Sequence, residues 1–185
     1  MEALGVVGRA LGSTSNRAAL AAAVVTAALS LALTLPSHVV GLGEKPPDPV
    51  DARDYDHLAL NLARGRGFAY CWSDPEWRAP YERSANSALY DLHLSLGGPC
   101  HPTARRAPGY PAALATVYGI WGRSFEAGRW LGALALALAA ATGAFLAASV
   151  GGAVAAMVFA ACFLLDHDLR FLVGAYMSEP IACLA

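Results

Sequence analysis

Charge is scarce in this sequence. Only 15% of its 185 residues are Asp, Glu, Lys or Arg, and 56% are hydrophobic. Soluble domains carry about 25% charged residues, so the deficit argues against an ordinary soluble domain and for a membrane protein. Residues 18–43 and 130–165 contain no charged side chain at all. Basic surplus is also missing: the net charge is −1, which gives no basis for a nucleic-acid partner. Cysteine is sparse too. Cys71, Cys100, Cys162 and Cys183 form no CxxC or Cys/His spacing of a zinc site. Cys71 and Cys100 lie in the polar middle of the chain. They can pair if that region faces an oxidising compartment, or remain unrelated thiols.

What is present divides the chain into apolar and polar blocks. A span needs about 20 apolar residues, and 18–43 is long enough. Arg9 and Arg17 precede it, which places residues 1–17 in the cytoplasm by the positive-inside rule. The run is long for a signal core and no Ala-x-Ala site follows, so an uncleaved anchor is expected. Residues 44–125 then form a long extracytoplasmic loop. The uncharged run at 130–165 is too long for one span and is interrupted by Gly151 and Gly152. It is expected to split into spans at about 126–149 and 153–173 with a cytoplasmic turn between them. Residues 174–185 read as the start of a fourth span, so the sequence is expected to be an amino-terminal fragment of a longer protein. The fold class is therefore all-α: a polytopic membrane helical bundle with juxtamembrane surface helices in one long loop.

Those surface helices are expected at about 52–64 and 108–121. The first is acidic, with Asp51, Asp54 and Asp56 in six positions. Leu58, Ala59, Leu62 and Ala63 give it an apolar stripe, and Gly65 and Gly67 stop it. Asp51 and Tyr55 are four apart and share a face. The second helix starts at Pro108 and Pro111 and is too short to span. Between them Tyr70, Trp72, Trp77 and Tyr81 show no period and read as a structured loop of interfacial aromatics. His57, His93 and His101 read as surface or loop histidines. Asp166, His167, Asp168 and Arg170 stand near the end of the third span, either as costly functional charges or as an exit cluster with Asp166 and Arg170 paired at i,i+4.

A carboxylate near a membrane can serve as general base on an acceptor hydroxyl or amine, and an Arg fork suits a lipid phosphate. The order of segments resembles the GT-C-fold membrane glycosyltransferases, the dolichyl-phosphate-mannose protein mannosyltransferase and aminoarabinose transferase superfamily. Three motifs carry the resemblance. One is Asp51-x-x-x-Tyr55 with Ala59 and Gly65-Arg66-Gly67-Phe68. Another is Arg106-Ala107-Pro108-Gly109-Tyr110-Pro111 followed by Tyr118 and Gly122. The third is Ser178-Glu179-Pro180. Ala52 stands where many members carry Glu, and Ala107 where they carry Pro.

The resemblance implies transfer of a sugar from a polyprenyl-phosphate donor to a lipid, polysaccharide or protein acceptor, on the extracytoplasmic face of a cell membrane such as a bacterial inner membrane. It implies Asp51 as the catalytic carboxylate and Glu179 as a second acid, for the acceptor or for a divalent metal, the one cofactor it leaves open. It implies Tyr55, Arg106, Tyr110 and Asp54 as substrate-binding residues, with Arg106 at the lipid phosphate. From the residues alone, Asp51 reads first as the cap of its helix, and Arg106 as a cation that either snorkels at the interface or meets a phosphate. Asp54 and Asp56 read as solvated or supporting. The competing reading is a non-enzymatic polytopic membrane protein, a transport or envelope-assembly subunit.

Overall fold

The computed structural model describes residues 14–48, 50–83, 99–175 and 178. Helices dominate it. Helix α1 (Thr14–Thr34) runs into a π-helical turn over Leu35–Val40. There follow α2 (Val50–Ala63), β1 (Ala69–Tyr70), α3 (Pro75–Glu82), β2 (His101–Pro102), α4 (Gly109–Trp121), α5 (Phe125–Leu165) and α6 (His167–Gly174). Two helices are long and apolar enough to cross a membrane, Asn16–Val40 and Phe125–Leu165. Glu179 and the rest of the expected fourth span from 179 to 185 lie outside the described residues, as does His93.

Helix α5 is two arms. Gly152 takes φ 70° and ψ −164°, a left-handed conformation that side chains disfavour and glycine accepts. The second arm folds back on the first. Phe159 packs so closely on Gly143 that a Cβ there would meet its ring at 2.1 Å. In one straight helix residues 16 positions apart would be about 24 Å apart. The return arm does not continue to about 173, as the sequence suggested. It stops at Leu165, because the Asp166 carboxylate accepts hydrogen bonds from the Asp168 and Leu169 amides and caps a new helix, α6. Asp166 is thus a cap and not the i,i+4 partner of Arg170, whose guanidinium turns back to the Leu164 carbonyl. Phe163 and Leu169 pack on Val39, Ala133, Leu136 and Val173, so α6 lies beside the start of α5 and the end of α1.

The polar residues form a second, separate core. Helix α2 is not a surface helix: every residue from Ala52 to Asn61 is buried. Its apolar stripe meets Leu114 and Tyr118 of α4, and its other face is covered by Tyr70, Trp72, Trp77 and Tyr81. These aromatics are at most 4% exposed. They are a core rather than an interfacial belt, because the segment holding them wraps α2. His57 is buried at its centre, stacked on Trp77 at 4.3 Å between ring centroids. Strands β1 and β2 pair antiparallel, and the adjoining Cys71 and Cys100 are bonded to each other. Replacing both cysteines by serine is expected to cost about 2–4 kcal/mol by freeing the unfolded chain. Chemical denaturation of the full chain, with and without reductant, measures that loss.

Candidate functional site

The three acids of α2 part ways in their surroundings. Asp51 sits in the first turn of α2, inside the helix rather than ahead of it. It keeps 40% of its side chain exposed, whereas Asp54 and Asp56 have none. The last two are therefore not solvated, because each sits against an arginine that a helix apart in sequence brings to it.

Arg106 bridges Asp51 and Asp54. Its Nη2 donates to Asp51 Oδ1, and its Nε donates to Asp54 Oδ2 at 2.9 Å. The guanidinium also lies 5.7 Å from the Tyr55 ring centroid. Burial works against its charge, but the two carboxylates outweigh burial and raise its pKa. Arg106 is turned inward onto these acids and does not snorkel. Tyr55 meets Tyr110 edge to face at 5.2 Å, and its hydroxyl lies 3.3 Å from Ser178 Oγ. Asp51, Asp54, Tyr55, Arg106 and Tyr110 thus come together, with Ser178 beside Tyr55. Tyr70 borders the same group. Burial first, and then the Asp54 carboxylate, push its phenol's pKa up.

Asp56 heads a second network that the sequence did not single out. Tyr118 and Tyr81 donate their hydroxyls to its two oxygens at 2.7 and 2.9 Å. Arg123 adds a fork, Nε to Oδ1 at 3.1 Å and Nη2 to Oδ2 at 2.5 Å. The same guanidinium reaches the Glu76 and Trp77 carbonyls. Burial opposes its charge, yet Asp56 overrides that and raises its pKa. Three acids on one short helix demanded cations, and Arg106 and Arg123 flank α4 on either side. That density of acid signals that cations must approach α2, but it does not say which arginine meets which acid.

His57 stays neutral. Burial is the main cause, lowering its pKa to about 4 against the opposing pull of Asp56 and Asp74, and its Nε2 accepts the Cys71 amide. Above pH 6.5 the ring is uncharged whether folded or not. Below it the unfolded chain gains a proton that the folded one refuses, until about pH 4. Stability is therefore expected to fall by about 3 kcal/mol between those limits. Melting of the full chain followed against pH measures this, and His57→Gln should flatten the slope in that window.

As for a metal, Arg106 already meets the charge of Asp51 and Asp54. Among the described residues no cluster of three or more His, Cys, Asp or Glu is placed to ligate an ion. No family model matches the chain, and no curated protein or solved structure matches it either.

Proposed function

We propose that the chain belongs to a membrane glycosyltransferase that moves a sugar from a polyprenyl-phosphate donor to an acceptor on the extracytoplasmic face. The observation that carries this reading is the inequality of the acids. Asp51 alone offers a carboxylate to solvent, and Arg106, itself anchored on buried Asp54, fixes its position. A general base must reach its substrate and hold still. In this scheme Asp51 takes the proton of an acceptor hydroxyl or amine as that atom attacks the anomeric carbon. The bond from sugar to phosphate breaks, and polyprenyl phosphate leaves. Arg106, shared between two acids, can turn one donor to the departing phosphate while the others stay on Asp54.

Several features support the placement. The apolar helices read as spans, with Leu20, Val24, Leu138 and Val154 among their exposed faces. The Cys71–Cys100 bond suits an oxidising side of the membrane, and the turn at Gly152 would then face the cytoplasm. Glu179 remains the proposed second acid, for the acceptor or for a divalent metal. The test is Asp51→Asn assayed for sugar transfer in native membranes: transfer should be lost, and retained transfer overturns the reading. A second reading rests on the same ion pair. Asp51 and Arg106 neutralise each other, as in a purely structural bridge of a non-enzymatic transport or assembly subunit. That reading requires that polyprenyl-phosphate sugars be neither bound nor consumed.

A further inference from the structure

A cavity of about 610 Å³ lies where the apolar helices meet the polar core. It is built from the end of α1, the link to α2, the start of α5 and the end of α6. Its lining is mixed in a specific way. Lys45, His38 and the buried Arg129 supply cationic or donor groups, and Leu42, Phe171 and the Pro46-Pro47 pair supply apolar surface. None of these residues belongs to the Asp51–Arg106 group.

The cavity is organised rather than incidental. Arg129 is 1% exposed and donates to the carbonyls of Gly174, Gly43 and Lys45 at 3.1, 2.7 and 2.6 Å. It thereby ties the link to the end of α6 and fixes two of the cavity walls. Gly174 lets Leu42 and His38 pack closely on the end of α6, since a Cβ there would meet Leu42 Cδ1 at 3.0 Å and His38 Nδ1 at 3.3 Å. Lys45 is the only lysine in the chain. It is exposed, and among the described residues no carboxylate lies within ion-pair distance of it. One acid, Asp48, lines the cavity, but it faces Arg53 Nη2 at 3.4 Å. Arg53 is itself 4% exposed, with Nε and Nη1 unmatched, so its positive charge offsets that of Asp48. What remains toward the cavity is a cation with donors beside an apolar wall. Phe171, 52% exposed, extends that wall outward.

We propose that this cavity binds the phosphate group of an anionic membrane lipid, with Lys45 and His38 on the phosphate and Leu42 and Phe171 along the first part of the chain. An ammonium on a flexible stem is suited to phosphate as a point charge, and an apolar wall beside it is suited to the acyl chain that the phosphate carries. The site rests on the reading of the two apolar helices as spans. It does not rest on the transferase reading, and it holds whether or not Asp51 transfers sugar.

The test titrates the full chain, purified in dodecyl maltoside, with dodecyl phosphate. Lys45→Gln should weaken binding about tenfold while leaving the melting temperature unchanged, because Lys45 is exposed. Arg78→Gln, on α3 and paired with Glu82 away from both the cavity and Arg106, serves as the control and should bind as the parent does. Equal affinity of Lys45→Gln and the parent overturns the site. Inorganic phosphate competing as well as dodecyl phosphate overturns the lipid source in favour of a free anion. Release of the chain from membranes by alkaline carbonate overturns the spans, a separate result from either titration.

Discussion

Asp56→Asn is expected to destabilise the polar core by about 3–5 kcal/mol, the usual cost of removing one member of a buried ion pair. The carboxylate is fully buried and accepts from two tyrosines and from an arginine fork. An amide keeps one acceptor oxygen and places a donor against Arg123, whose side chain is 9% exposed. That guanidinium would be left as a charge in low dielectric with no counter-ion, which is costly. The damage spreads, because Arg123 also holds the Glu76 and Trp77 carbonyls and so docks α3 against the link between α4 and α5. Tryptophan fluorescence during melting reads the effect directly, since Trp77 lies 5.2 Å from the Tyr81 ring. Asp56→Leu combined with Arg123→Met should recover much of the loss, as both charges leave together. An unchanged melting curve for Asp56→Asn would show that the network contributes nothing.

The helices of the polar region were legible because their signals are local. The helix expected at about 52–64 is Val50–Ala63, ended where Gly65 and Gly67 take φ of 70° and 78°. The helix expected at about 108–121 is Gly109–Trp121, opened by Pro108. Burial was not legible, because it depends on what covers a helix. The stripe of Leu58 and Ala59 announced one buried face of α2. The other face carries Asp56, which read as solvated or supporting, and His57, which read as a surface or loop histidine. They are buried because residues 69–83, which have no period, lay four aromatic rings over them. The charge pairing was hidden for a related reason. Arg106 and Arg123 lie 52 and 67 positions from the acids they meet, and no spacing rule reaches that far. The break at Asp166 was hidden by competition: an apolar run favoured continuing the span, and one capping carboxylate ended it. Among the candidate site residues, the resemblance to the glycosyltransferase motif pointed to Asp51, the acid of α2 that the fold leaves open.

That openness underlies the largest expected effect on activity. In native membranes Asp51→Asn should lower the rate of sugar transfer by about 10²–10⁴-fold, the contribution of a positioned general base. The loss should fall on kcat more than on the KM for donor, since the proton moves only in the transition state. The fold should survive. Asp51 is 40% exposed, and a pair at that depth contributes about 0–1 kcal/mol after solvent screening. Arg106 also keeps its two bonds to Asp54 through Nε and Nη2, so the guanidinium stays where it is. This separates the variant from Asp56→Asn: one should lose activity with an intact melting curve, the other should lose the melting transition first. If Asp51→Asn instead lowered the melting temperature as far as Asp56→Asn and left transfer per folded molecule unchanged, the carboxylate would be a structural partner of Arg106 and the base would have to be sought elsewhere. Because only Asp51 among the three acids of α2 reaches solvent, the two outcomes cannot be confused with an effect relayed through its neighbours.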